Sequence, residues 1–182
     1  MEVEEDKEFS SDTETVKAHE FCATIIPFNI KRKGFIDLTG SLPHKSSRGN
    51  LYAMILYDYD SNEILAKTIK NIQAATIYDD FLNIHIILKS RGSNPSFYIM
   101  DNGCYSDLKE YMKKYTIDFQ LTPPHMQRRN EAERAIITSR NHLISGLAMT
   151  YPDPPIIQCD QLLPQCLITL NLLHNSRVDP SL

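Results

Sequence analysis

Apolar and polar residues alternate along the chain in patterns that predict its secondary structure. Short runs rich in β-branched and aromatic residues, bounded by turn-forming residues, predict five strands. These strands are expected over 34–39, 51–58, 63–69, 96–100 and 117–121. The polar turn YDSN separates the second run from the third, so these two runs are expected to form a β-hairpin.

Four other stretches carry apolar residues near the 3.6-residue period of an amphipathic helix. They cover 72–90, 106–115, 130–147 and about 160–174. Pro164 is expected in the first turn of the last helix, where proline is tolerated. The order of elements predicts an α/β protein with a mixed five-stranded sheet flanked by helices, and ribonuclease H-like folds have this order.

The first twenty residues differ in composition from the rest of the 182-residue chain. They hold eight acidic residues against two lysines, so we expect an acidic disordered tail over 1–20 and one folded domain over 21–182. The tail has a net charge of −6 and the whole chain −4, which leaves a mildly basic domain at +2. The hydrophobic content of 42% is enough to form a core.

Targeting signals and metal-binding cysteine motifs are not found. The sequence has no apolar run of about 18 residues and no secretory signal, so an intracellular protein without a membrane span is expected. The four cysteines form no CxxC pair, and only His19 and Cys22 have ligand spacing. A zinc site would need two further ligands, so isolated, half-buried thiols are expected instead.

Three carboxylates occupy positions where a site can form. Asp37 lies within the first predicted strand, Asp101 directly follows the fourth, and Glu133 lies near the start of the third helix. The carboxyl ends of strands are the usual place for sites in open α/β sheets. Three converging acids would repel one another unless cations lay between them, and two Mg²⁺ or Mn²⁺ ions would serve phosphodiester chemistry. Taken singly, each acid is more often a helix cap or a solvated charge.

Several separated blocks of the sequence resemble the catalytic core of integrases encoded by LTR retrotransposons, which belong to the retroviral-type integrases. The resemblance runs from about Cys22 to the C-terminus. Its blocks are, in order, DLTGSLP, SSRGN, LYDYDSN, YIMDN, PPHMQRRNEAERAI and LITLNLL. It implies a ribonuclease H-like fold and metal-dependent DNA 3′-end processing and strand transfer.

The resemblance also implies roles for individual residues. Asp37, Asp101 and Glu133 become the catalytic triad that holds two Mg²⁺ or Mn²⁺ ions, and Glu131 becomes a surface charge. The residues expected to contact DNA are Arg128, Arg129, Arg140, Asn102 and His125. Ordinary alternatives remain open for this second group: solvated arginines, a turn asparagine and an exposed loop histidine. Tyr57 and Tyr59 are more often packing residues than base-stacking ones.

The implied partners are DNA, as element ends and target DNA, and further copies of the chain, with a nuclear location in a eukaryotic host. Integrases of this type also carry a zinc-binding HHCC domain and a C-terminal DNA-binding domain, so a C-terminally truncated core is expected here. One hypothesis is an active polynucleotidyl transferase or endonuclease. The alternative is a catalytically inactive or domesticated fragment that only binds DNA or self-associates. A third reading, a cellular nuclease, needs a fourth carboxylate such as Asp58 or Asp60.

Overall fold

The computed structural model describes residues 32–42, 44–100, 106–122, 131–149 and 156–178. The acidic tail expected over 1–20 lies outside these ranges. Further residues singled out from the sequence also lie outside them, namely His19, Cys22, Asp101, Asn102, Cys104, His125, Arg128 and Arg129.

Five strands form one mixed sheet. They are β1 (Lys33–Leu38), β2 (Tyr52–Asp58), β3 (Glu63–Ile69), β4 (Phe97–Met100) and β5 (Asp118–Leu121). Their order in the sheet is β3-β2-β1-β4-β5. β2 runs antiparallel to β1 and to β3, with which it forms the predicted hairpin, whereas β4 is parallel to both β1 and β5. All five predicted strands are confirmed, with ends that differ by one residue or less.

Four helices accompany the sheet. They are α1 (Ala74–Ser90), α2 (Ser106–Lys114), α3 (Glu131–Ala148) and α4 (Cys159–Asn171), with a short 3₁₀ helix at Ile156–Gln158. Because α4 begins at Cys159, Pro164 lies in its second turn rather than its first, which corrects the sequence-based expectation. Proline has no N–H to donate to the carbonyl four residues earlier, so this turn lacks one helical hydrogen bond. No described helix is long and apolar enough to cross a membrane.

The sheet separates two apolar layers. On one face, Ile36, Met54 and Tyr98 pack under α1 and α2. On the other face, the alternate residues Phe35 and Ile55 pack with side chains of α3 and α4. Burial of apolar surface on both faces holds the helices against the sheet. The predicted mixed five-stranded sheet flanked by helices is therefore confirmed.

A close approach between β1 and β4 requires glycine. Gly34 lies beside Tyr98, and a Cβ atom at position 34 would overlap the tyrosine ring. The absence of a side chain lets the fully buried ring lie against β1. The Tyr98 hydroxyl then lies 2.8 Å from Nδ1 of His85 on α1, so this pair joins the sheet to the helix.

The loop between β1 and β2 is tied to α4 by a buried carboxylate. Asp160 is 2% exposed. It accepts hydrogen bonds from Ser46 Oγ at 2.8 Å, Arg48 Nε at 2.9 Å and Asn50 Nδ2 at 2.8 Å. All three donors belong to the SSRGN block, so this block fixes the loop that follows Asp37. We call Asp160 and its three donors the loop clamp.

The end of α4 and the segment after it lie on the β2–β3 hairpin. The Asn171 amide accepts from Ile64 N at 2.9 Å and donates to Ile64 O at 2.8 Å. Arg177 donates to the Tyr57 hydroxyl at 2.8 Å, and its guanidinium lies 4.1 Å from the centre of the Tyr59 ring. Tyr57 and Tyr59 thus have the packing role that is more common for such residues.

Candidate functional site

Asp37 lies near the carboxyl end of β1, on the sheet face that α3 and α4 cover. Side chains alternate along a strand, so Asp37 shares this face with Phe35. Its cross-strand neighbour Ile55 belongs to the same apolar layer. Asp37 Oδ1 accepts a hydrogen bond from Leu38 N at 2.8 Å, which orients the carboxylate. The residue is half-buried, so part of it is accessible to a ligand.

Glu133 lies in the first turn of α3, which contacts β1 and β2. The helix faces the sheet with Ala132 and Ala135, which are 0% and 4% exposed. These small side chains allow the helix axis to approach the sheet closely. Glu133 follows Ala132 directly and is half-buried. The start of α3 therefore carries Glu133 on the same sheet face as Asp37.

Glu131 has a different environment from Glu133. It forms an ion pair with Arg134 one turn later on α3, at 3.6 Å. The Arg134 side chain is 79% exposed, and ion pairs in solvent contribute little to stability. Glu131 is thus engaged with a cation on its own helix.

The third expected acid, Asp101, is outside the described residues. Its predecessor Met100 ends β4 and pairs with Ile36, the predecessor of Asp37. β1 and β4 are parallel, so the two strands reach the same edge of the sheet in register. In the sequence, Asp37 directly follows Ile36, and Asp101 directly follows Met100.

Among the residues expected to contact DNA, the described ranges contain Arg140. It is exposed on α3, about two helical turns after Glu133, which corresponds to roughly 10 Å along the axis. Ile137 lies between them along the helix and is 58% exposed. Arg128, Arg129, Asn102 and His125 lie outside the described ranges.

Carboxylate oxygens are the donors that Mg²⁺ and Mn²⁺ prefer, so Asp37 and Glu133 fit such ions chemically. No group of three His, Cys, Asp or Glu residues in the described part of the chain is arranged to hold a metal ion. Two acids of the expected triad fall in that part, and the third does not. Cys159 and Cys166 are free and half-buried, and burial raises the pKa of both thiols.

Asp58 and Asp60 lie at the far end of β1 from Asp37. Asp58 is paired with Gly34, at the start of β1. Its Oδ2 accepts hydrogen bonds from Ser61 and from Ser93 Oγ, and Asp60 accepts from Arg32 N at 2.6 Å. Both acids hold the hairpin tip, so neither supplies a fourth carboxylate next to Asp37.

Two buried polar groups were not singled out from the sequence. At Asp160, burial raises the pKa, but the hydrogen bonds from Ser46, Asn50 and Arg48 outweigh it and lower the pKa below its ordinary value. At His85, burial and the nearby Lys89 lower the pKa to about 4. A polar SSRGN block is the one local signal for the first group, and no local pattern marks the second.

Comparison with known proteins identifies the fold. No protein-family model and no curated protein matches this sequence. A chain of the simian T-cell lymphotropic virus intasome, solved with the PP2A regulatory subunit B56 gamma, is similar with a TM-score of 0.65 and 17% identity. That match covers 87% of this chain and 55% of the intasome chain, so this chain spans about half of its length.

Two structures of the HTLV-2 integrase catalytic core domain in complex with magnesium are also similar. The trimeric form has a TM-score of 0.59 and 19% identity, over 81% of this chain and 89% of that chain. The dimeric form has a TM-score of 0.57 and 17% identity, over 82% and 91%. The described residues therefore have the ribonuclease H-like fold of retroviral integrase catalytic cores, and at this level of identity the similarity concerns the fold.

Proposed function

We propose that this chain is a retrotransposon-derived integrase catalytic core that carries out metal-dependent DNA 3′-end processing and strand transfer. The observation that carries the proposal is the position of Asp37 and Glu133 on one face of the sheet. The parallel register of β1 and β4 supports it, because we expect Asp101 to lie beside Asp37.

In this proposal Asp37, Asp101 and Glu133 hold two Mg²⁺ or Mn²⁺ ions. The donor set supports this assignment, and so does the magnesium in the HTLV-2 core of the same fold. Bound ions would neutralise the acids, activate a water or a DNA 3′-hydroxyl and stabilise the leaving oxygen. The chain itself orients the acids: Ala132 and Ala135 seat α3 on the sheet, and the loop clamp holds the segment after β1.

DNA is the proposed substrate, and basic side chains around the acids are its proposed contacts. Arg140 is exposed on the helix that carries Glu133, where it can reach a phosphate. We assign Arg128, Arg129, Asn102 and His125 to the same role. Replacing Arg140 with Gln is expected to weaken DNA binding for all sequences. It is also expected to reduce the steepness of the plot of log binding constant against log salt concentration by about one. A nuclear location follows from this substrate.

Self-association is the second proposed interaction. The matched integrase cores were solved in trimeric and dimeric forms. In this chain, α1 exposes Ile86 and Ile87, α4 exposes Ile168, and the exposed Leu172 directly follows α4. Both helices contact β3, the edge strand of the described sheet. Exposed apolar side chains on two helices beside one sheet edge support a homo-oligomer.

The test is Mn²⁺-dependent nicking and strand transfer on a labelled DNA duplex with a recessed 3′ end. The full chain is compared with Glu133→Gln and with Glu131→Gln, a matched control on the same helical turn. The proposal expects metal-dependent products from the parent and the control but none from Glu133→Gln. A folded parent without products, and without a rise in melting temperature on adding Mn²⁺, would support the inactive or domesticated fragment instead.

A further inference from the structure

The β1–β2 loop turns sharply at Gly49, and two lysines flank this glycine. Gly49 has a φ of 85°, in the left-handed region that favours glycine, and its N–H donates to Ser46 O at 2.8 Å. A Cβ atom at position 49 would lie 3.6 Å from Lys45 Cε and 3.9 Å from Lys70 Cε. Both lysine stems therefore reach the same glycine, although Lys45 belongs to the loop and Lys70 directly follows β3.

Arg48 adds a third cation to this surface. Its Nε donates to Asp160 in the loop clamp, and its side chain is 54% exposed. Lys45 and Lys70 are exposed, and neither forms an ion pair within the described part of the chain. We call Lys45, Arg48 and Lys70 the basic patch. Asp160 compensates at most one of its three positive charges, so the patch keeps a net positive charge.

Backbone hydrogen bonds fix the loop that carries the basic patch. Leu51 N donates to Ile69 O at 2.9 Å, at the end of β3 and next to Lys70 in the sequence. Ser47 N donates to Ile157 O at 2.8 Å, in the 3₁₀ helix before α4. The loop clamp adds side-chain hydrogen bonds between the same loop and α4. Because the loop is already ordered, binding a ligand costs little backbone entropy.

The basic patch lies at the same edge of the sheet as Asp37. β1 and β3 end at this edge and β2 begins there, since β2 is antiparallel to both. Asp37 pairs with Ile55, and Ile55 pairs with Ala66, so Lys70 lies two strands away and four residues further along. Strand spacing and rise then place Lys70 roughly 16 Å from Asp37. Each strand of duplex DNA carries one phosphate per about 3.4 Å of helix axis, so this distance spans about five base pairs.

We propose that the basic patch binds the phosphate backbone of the DNA duplex whose end lies at the acids of the proposed active site. The three cations contact the duplex beyond the linkage that reacts, and so fix its direction across the sheet edge. The loop is tied to α4, which covers the sheet face of Asp37, so the duplex lies along that side. Contacts to phosphates carry no sequence information, so all DNA sequences are bound. The choice of DNA as the ligand rests on the proposed function.

The experiment measures binding of the full chain to a fluorescently labelled DNA duplex with a recessed 3′ end, by fluorescence anisotropy at several salt concentrations. EDTA is present, so the result depends neither on metal binding nor on catalysis. The test variant combines Lys45→Gln with Lys70→Gln, two exposed lysines outside the loop clamp, and its melting temperature is compared with that of the parent. We expect binding that is weaker by about tenfold or more at about 0.1 M salt. The plot of log binding constant against log salt concentration should be less steep by about two.

Two further variants separate the position of the charges from their number. Lys113→Gln combined with Lys114→Gln is the matched control, because it removes two exposed charges from α2, which covers the opposite face of the sheet. It is expected to bind DNA about as the parent does. Lys45→Arg combined with Lys70→Arg keeps both charges of the basic patch and should bind with the affinity and salt dependence of the parent.

The proposal is overturned if the test variant keeps the affinity and salt dependence of the parent, or if the α2 control loses as much. An acidic polypeptide is the other class of partner for a basic surface, so poly-glutamate is titrated in parallel. If poly-glutamate binding depends on Lys45 and Lys70 and DNA binding does not, the patch serves an acidic protein segment and the proposal fails. A chain that binds DNA through the patch but gives no nicked or joined products would retain this inference and lose the proposed catalysis.

Discussion

Asp160 and Asp37 are both associated with the β1–β2 loop, yet their surroundings are opposite. Asp160 is 2% exposed, and the side chains of Ser46, Arg48 and Asn50 all donate to its Oδ2. Asp37 is half-buried at the strand that leads into the loop, and its Oδ1 takes a hydrogen bond from the next backbone N–H. One acid is buried and accepts three hydrogen bonds from the protein's own side chains, and the other keeps accessible surface.

This difference separates a structural acid from a candidate ligand. The donors of the loop clamp lower the pKa of Asp160 in spite of its burial, so its negative charge belongs to the folded structure. Asp37 instead shares a sheet face with the half-buried Glu133 at the start of α3.

The largest effect is expected for Asp160→Ala. It removes the shared acceptor of three donors, two of which belong to the buried residues Ser46 and Asn50. The free energy of unfolding is expected to fall by about 3 to 4 kcal/mol, measured by urea denaturation. Asp79→Ala, at an exposed acid on α1, is the control and should change it by less than about 0.5 kcal/mol. A loss below about 1 kcal/mol for Asp160→Ala would show that the loop clamp is not structural.

A smaller effect is expected from the protonation of His85, whose Nε2 is buried without a hydrogen-bond partner among the described residues. Its pKa is lowered from 6.5 to about 4 in the folded chain, so between these values the unfolded chain binds a proton that the folded chain does not. Stability is therefore present above pH 6.5 and is lost as the pH falls toward 4. We expect a loss of about 2 kcal/mol between pH 7 and pH 5.

Urea unfolding at the two pH values measures this loss. His85→Phe should remove about 2 kcal/mol of the difference in unfolding free energy between pH 7 and pH 5. His142→Gln, at a half-buried histidine of α3, should leave this difference unchanged. An unchanged pH dependence in His85→Phe would mean that His85 does not titrate between these values.

The smallest effect on stability without metal is expected for Asp37→Asn. The amide retains an acceptor for Leu38 N, and the residue is half-buried, so the unfolding free energy should change by about 0.5 kcal/mol or less. With Mn²⁺ the parent should gain stability, by about 2.7 kcal/mol at a hundredfold excess over the dissociation constant, and the variant should not. Thermal melts with Mn²⁺ and with EDTA measure both values. A large loss in EDTA would place Asp37 with Asp160 as a structural acid.

Most of the fold could be predicted because its signals are local. The YDSN turn and the apolar runs beside it define the β2–β3 hairpin over a few residues. In α1 the period predicts a helix but not its buried face: Ile84 and Leu88 are buried, whereas Ile86 and Ile87 are equally apolar and exposed. Which face is buried depends on where the sheet lies, and the helical period carries no information about the sheet.

The site could be predicted only in part. Asp37 and Glu133 were singled out because their blocks resemble an integrase core, and their strand and helix could be located from local patterns. The partner of Asn50 in the loop clamp is Asp160, 110 residues away, and no spacing in the sequence connects them. His85 is the one polar residue of the apolar run IHIIL (84–88), and its burial depends on Tyr98 and on the gap left by Gly34. Distant contacts bury both polar groups, and local patterns do not identify those partners.

The contact of Asn171 with Ile64 affects how the chain folds while it is being synthesised. Ile64 lies on an edge strand, where unpaired N–H and C=O groups invite pairing with other chains. Asn171, which satisfies both groups, is translated 107 residues later, which corresponds to roughly 5 to 20 s at the ribosome. During that interval the nascent hairpin presents an open edge beside neighbouring polysomal chains. Synthesis of the last helix therefore ends a period in which misassembly competes with folding, and a slower ribosome would lengthen it.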